Sequence, residues 1–143
     1  MANAQRGFTL LEMLVVIVLI SIAAGLVGFG LQQGLRSAKE RQVVGQMVEA
    51  LRSTRAKAIV NGSTEATVFD LRTLSFQAPG RPKKHWPADL QVTLHTAEHA
   101  GSAVEFYPDG SSTGGNLLLA SGSRRWRIDI GWLTGSVQSK ALP

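Results

Sequence analysis

The sequence predicts an α+β protein: one long amino-terminal helix packed on a small antiparallel β-sheet or β-sandwich. Three observations carry that prediction. Residues 13–31 form an uncharged, mostly apolar run, and from there to Asn61-Gly62 apolar residues recur at three- and four-residue spacings. From Ser63 onward, short alternating stretches are divided by Gly and Pro turn signals.

The apolar run comes first. At 1.5 Å per residue a helix over residues 13–31 is about 28 Å long, close to the ~30 Å hydrocarbon thickness of a bilayer. It must be a helix, because hydrocarbon offers an irregular backbone no hydrogen bonds. Glu12 is the one charge near the start of the run. Two readings stand for it: a functional acid inside the membrane, or an anion in the first helical turn, where the macrodipole favours it. Ser21-Ile22-Ala23 is a small-x-small candidate for a secretory cleavage site, but the apolar run continues past it.

The helical pattern then continues through Leu35, Ala38, Val44, Met47, Val48, Leu51, Ala58 and Ile59, with Arg41, Glu49, Arg52, Arg55 and Lys57 mostly off that face. Gly62 is a plausible C′ stop. Gly25, Gly28, Gly30 and Gly34 predict bending or local melting. Gly28 and Gly30 would also allow close helix approach.

Beyond the helix the pattern predicts a hairpin over 64–70 and 73–77, a loop over 79–87, and strands over 90–96, 104–107, 116–120, 125–130 and 132–137. Pro108-Asp109-Gly110 is a turn in which proline sets φ and glycine tolerates a positive one. In 125–130 the alternation puts Trp126, Ile128 and Ile130 inward and Arg125, Arg127 and Asp129 outward.

The 143 residues allow one compact domain beyond the apolar run, and the absence of cysteine excludes disulfides and thiolate metal sites. The formal charge of +5 lies almost wholly beyond that run. Arg81, Lys83 and Lys84 form one small basic cluster, and Arg124, Arg125 and Arg127 another. Solvated faces are the expected reading, with phosphate contact beside Trp126 the alternative. Three strings mimic catalytic or metal signatures. His95-Thr96-Ala97-Glu98-His99 fits H-x-x-E-H but ends a strand where that chemistry needs a helix. Gly110-Ser111-Ser112-Thr113-Gly114 fits G-x-S-x-G but leads into glycines and a strand. Asp109-Gly110 lacks the spaced oxygen ligands of a calcium loop. No catalytic residue, metal or cofactor is therefore expected.

Gly7-Phe8-Thr9-Leu10-Leu11-Glu12, after a short leader with Arg6, resembles the processing signal of type IV pilins and type II secretion pseudopilins. The resemblance implies that a prepilin peptidase cuts between Gly7 and Phe8 and that Phe8 is then N-methylated. It also implies that Glu12 meets the amino-terminal charge of a neighbouring subunit. In a low-dielectric bundle, a one-turn slip would leave both charges unpaired, so this pairing specifies register. Phe106-Tyr107-Pro108-Asp109-Gly110-Ser111-Ser112-Thr113-Gly114-Gly115, with 126–130 and Leu133-Thr134-Gly135, is similar to the carboxyl-terminal pattern of H-type minor pseudopilins and their FimT-like pilus relatives.

The family implies a pilin-like fold with a leader over 1–7, a transmembrane helix over 8–31, an amphipathic continuation over 32–62 and a periplasmic β domain over 63–143. It implies a single-pass protein of the bacterial inner membrane, although Arg36, Lys39 and Arg41 would by the positive-inside count favour a cytoplasmic carboxyl side. The implied role is a structural subunit of the type II secretion pseudopilus, which helps export folded proteins across the outer membrane. The implied partners are major and minor pseudopilins, prepilin peptidase, the inner-membrane secretion platform, membrane lipid and the exported protein. The alternative is a FimT-like minor pilin acting in pilus assembly or DNA uptake, with Arg124, Arg125 and Arg127 on the nucleic acid.

Overall fold

A computed structural model describes residues 9–96 and 101–143, with the side chains of 27–33 and 36 outside the description. Helix α1 runs over Leu10–Asn61, 52 residues. Thr9 caps it: the Thr9 hydroxyl accepts from the Glu12 N–H at 3.2 Å, and the Thr9 carbonyl from the Met13 N–H at 3.2 Å. The other end follows the expected stop. Gly62 takes φ 62°, and the Ser63 N–H returns to the Ala58 carbonyl at 3.3 Å. Where bending or local melting was expected, α1 stays helical through Gly25, Gly28, Gly30 and Gly34, so it does not melt there. Glycine lowers helix propensity by only about 1 kcal/mol, and no proline removes a backbone donor there.

The chain divides into two compact units, residues 1–39 and 40–143. In the first, the described apolar side chains from Leu10 to Leu26 are exposed. Among the described residues no helix is long and apolar enough to cross a membrane. The expected span over 8–31 includes Phe8 and the side chains of 27–31, which lie outside the described residues, as does the leader over 1–7. Leu35 and Ala38, expected on the apolar stripe, are also exposed, because they precede the part of α1 that meets the β domain.

In the second unit α1 buries Glu40, Val43, Val44, Met47, Val48, Leu51, Thr54 and Ala58. The three- and four-residue steps make this one face of a helix. Ile59 falls at its margin and is exposed. Two antiparallel sheets complete the core. One has the order β3-β2-β1-β5, from Lys84–His85, Ser75–Gln77, Glu65–Asp70 and Ala103–Phe106. The other has the order β4-β6-β7-β8, from Gln91–His95, Gly115–Ser121, Arg124–Ile130 and Val137–Leu142. The first sheet contributes Phe69, Phe76, Val104 and Phe106, and the second Leu117, Leu119, Ile128, Ile130 and Val137.

Two strand expectations need correction. The stretch over 79–87 is not wholly loop: β3 pairs with β2 there, and the Trp86 N–H donates to the Leu74 carbonyl at 3.0 Å. That bond holds the buried Trp86 ring against Phe76, with centroids 6.3 Å apart. The last strand is β8, not 132–137. Residues 131–136 form a tight loop because the Gly131 N–H donates to the Ser136 carbonyl at 2.9 Å and the Gly135 N–H to the Gly131 carbonyl at 2.8 Å. Trp126 is half-buried, whereas Ile128 and Ile130 are fully inside, as the alternation requires.

The stripe on α1 sets the expected order of substitutions. Leu51→Ala lowers stability by about 2–5 kcal/mol, whereas Val60→Ala changes it by less than about 0.5 kcal/mol. Urea unfolding of the full chain in detergent, followed by tryptophan fluorescence, measures both.

Candidate functional site

The amino-terminal motif is partly in view. Gly7 and Phe8 lie outside the described residues, while Thr9 and Glu12 form the first turn of α1. Thr9-Leu10-Leu11-Glu12 has the spacing of a capping box, a Thr at the cap and an acid three residues on. That spacing is legible without coordinates, and it gives Thr9 a role that the processing motif alone does not. The Glu12 carboxylate is exposed and has no ion pair among the described residues.

The basic strand is largely committed within the domain. Arg124 Nη2 lies 2.9 Å from Glu40 Oε2 and 3.1 Å from Oε1, and Ser121 Oγ donates to Oε1 at 2.8 Å. Glu40 is 1 % exposed and Arg124 37 %, so this pair joins the buried face of α1 to the β6–β7 turn. The Oε2 contact is an ion pair without a hydrogen bond. Arg127 Nε donates to Asp129 Oδ1 at 2.5 Å, and Lys140 Nζ lies 3.2 Å from Asp129 Oδ2. Partial desolvation pushes the Asp129 carboxyl up, but Lys140 and Arg127 outweigh it and hold it below its ordinary value. Of the three arginines, Arg125 alone has no ion pair among the described residues. Glu40 was missed on sequence, yet it sits four residues before Val44 on the apolar stripe, and an acid there requires a buried partner.

The carboxyl-terminal motif builds a junction. Within 106–115 the Gly110 N–H donates to the Tyr107 carbonyl at 2.9 Å, and the Tyr107 N–H to the Ser111 carbonyl at 3.0 Å. Asp109 Oδ1 accepts from Ser111 Oγ at 2.6 Å and from Ser111 N–H at 2.9 Å. The side-chain bond from Ser111, then its backbone bond, keep the Asp109 carboxyl below its usual value. Arg55 Nε, from α1, donates to the Gly110 carbonyl at 2.9 Å. Gly135, at φ 61°, closes on the same place, where a Cβ would fall 2.1 Å from Gly110 O. Gly135 is therefore required for a steric reason: no side chain fits where two loops and Arg55 converge.

The same geometry disposes of the hydrolase string. Ser112 is buried; its hydroxyl donates to the Gly131 carbonyl at 3.0 Å and accepts from the Gly114 N–H at 3.0 Å. A nucleophile elbow would leave that oxygen exposed at the start of a helix. His95 ends β4 on the surface, Glu98 and His99 lie outside the described residues, and no three His, Asp or Glu side chains gather as a metal site among those described.

Residues 2–28 match the model of the prokaryotic N-terminal methylation motif. Over 142 residues the chain is 37% identical to the type II secretion system protein H of Xanthomonas campestris pathovar campestris, covering 96% of this chain and 84% of that one. The chain belongs to the type II secretion system protein H family. It is also 28% identical over 129 residues to the Escherichia coli protein H, covering 84% of this chain and 76% of that one. Its fold is like that of the minor pseudopilin EpsH from the type 2 secretion system of Vibrio cholerae. The TM-score is 0.60 at 15% identity, over 72% of this chain and 97% of that one.

Two outcomes follow from the junction of Arg55, Gly110 and Gly135. Gly135→Ala destabilises the protein by more than about 2 kcal/mol, while Gly122→Ala, also at positive φ but facing open space, costs about 1 kcal/mol. Thermal unfolding of the two variants compares them. The Asp109 carboxyl titrates below the ordinary value of about 3.9. With its folded pKa depressed, it contributes stability fully above the unfolded value, and that contribution is lost as pH falls through the folded one. Carboxyl-carbon NMR titration reads this directly, and Ser111→Ala moves the midpoint up.

Proposed function

We propose that this chain is a minor pseudopilin, a structural subunit of a type II secretion pseudopilus that assembles with other pseudopilins. The observation that carries the reading is the likeness to protein H over nearly the whole chain. Residues 8–31 serve as the inner-membrane anchor and 63–143 as the periplasmic domain. Exposed apolar side chains from Leu10 to Leu26 support the anchor, since such a surface is stable against lipid or neighbouring apolar helices rather than water.

Processing between Gly7 and Phe8 leaves one residue ahead of the Thr9 cap. The new ammonium then sits at the positive end of its own helix, where a cation is disfavoured. A carboxylate from another subunit relieves that cost. Glu12, exposed and without an ion pair among the described residues, is placed in the first turn to supply it. In a dry bundle the pair forms at one axial offset and is lost at others, which gives the filament its register. Prepilin peptidase is the processing partner in this reading, and the exported protein and the inner-membrane platform are its functional ones.

Mass spectrometry of protein isolated from membranes tests the reading: the mature chain starts at methylated Phe8. A start at Met1 or after Ala23 would overturn it. Glu12→Gln leaves processing intact and reduces incorporation into pseudopili at least about tenfold, read by fractionation of sheared filaments.

A further inference from the structure

We propose that the outward face of the sheet β4-β6-β7-β8 binds a side-chain carboxylate of an extended peptide segment, and that Arg125 recognises it. The strand register sets the lining. Gln91, Ala120, Arg125 and Leu142 stand in one row across the four strands, with Thr93 and Leu118 in the row beside it. These residues and Trp126 line a recess of about 300 Å³, at the lower end of the volumes that hold ligands. A sheet face turned to water carries polar residues along such rows, yet here Leu118 and Leu142 are half-buried on it. Arg125 stands beside them, exposed and, unlike Arg124 and Arg127, without an ion pair among the described residues.

Contact, not field, selects the ligand. Arg127 and Lys140 keep their charges but flank Asp129, and Asp89, just before β4, has a partner of its own. With Arg125, three cations on and beside the face thus stand against two carboxylates. What is specific is the Arg125 guanidinium: its planar fork of donors matches the two oxygens of a carboxylate, and apolar walls strengthen that pair by excluding water. The same walls suit the methylene stem of a glutamate. Gln91 and Thr93, exposed on the edge strand β4, offer donors and acceptors to the main chain on either side of it. A nucleic acid is the poorer match, because its phosphates need several cations in a line and Asp129 lies among those next to Arg125. The site rests on residues of the folded unit alone, so it stands or falls apart from the pseudopilin reading.

Fluorine NMR of the full chain in phosphatidylcholine nanodiscs, with its three tryptophans labelled as 5-fluorotryptophan, tests this. An extended probe peptide that alternates Glu with Thr and Val is expected to shift the Trp126 signal saturably and to leave those of Trp86 and Trp132 in place. The same peptide with Gln for Glu binds at least about tenfold more weakly, and Arg125→Gln weakens the acidic peptide by a similar factor, whereas Arg125→Lys retains part of the affinity. Arg125→Gln keeps the thermal midpoint, because the side chain has no ion pair to lose among the described residues. Ala120→Glu, directly opposite Arg125 in the register, supplies the carboxylate within the chain and abolishes binding, while Ala120→Gln does not. No saturable shift at Trp126, equal binding of the Gln peptide, or undiminished binding by Arg125→Gln overturns the site. Tighter binding of a DNA duplex or of glutarate than of the acidic peptide overturns the peptide assignment. A mature chain that does not start at Phe8 overturns the pseudopilin reading and leaves this site standing.

Discussion

Burial of one face of α1 against two four-stranded sheets is the interaction on which the second unit depends. Val44, Met47, Val48, Leu51 and Ala58 supply the apolar surface, and Phe69, Phe106, Leu117 and Ile128 close over it. Neither sheet is wide, and each leaves one face in water, so without the helix both would expose their apolar faces. The helix in turn draws its orientation from polar groups on or beside the same stripe. Glu40 reaches Ser121 and Arg124, Thr54 shares a hydrogen bond with Thr67 at 2.7 Å, Arg52 donates to the Val137 carbonyl at 2.8 Å, and Arg55 donates to the Gly110 carbonyl. Apolar packing alone would tolerate sliding along the stripe. These directional bonds do not, because a shift by one turn strands a buried carboxylate and several carbonyls.

That rigid framework explains why a structural protein carries strings that mimic catalytic ones. Gly110, Ser112 and Gly114 occur together because two loops and Arg55 meet at one end of the domain, each position demanding either a positive φ or a short hydroxyl that can satisfy two main-chain groups. The chemistry is that of a joint. Serine there is consumed by its neighbours, and glycine admits a backbone approach that no side chain permits.

The described residues of the first part of α1 present surface rather than core. The first part of α1 displays an exposed apolar surface with a single acid, Glu12, in its first turn. The folded unit offers a second kind of surface, in which an aromatic and an aliphatic side chain stand on a loop already fixed by hydrogen bonds.

The long helix, its stop at Asn61-Gly62, the alternation in β7 and the α+β class were all legible in the sequence, since each depends on local periodicity or on the conformational freedom of one residue type. The similarity to pseudopilins was legible too, because the processing motif is contiguous. The tertiary structure alone decided that Glu40 belongs with Arg124, that Arg127 is occupied by Asp129, and that residues 132–136 turn back instead of extending as a strand. The first turns on partners 84 residues apart in the chain, and the last on Gly135 closing against Gly110, whereas Arg127 and Asp129 are two residues apart on one strand. No local pattern encodes whether a charge or a glycine will find its counterpart across such a distance, because the two are brought together only when the helix and both sheets close on a common core.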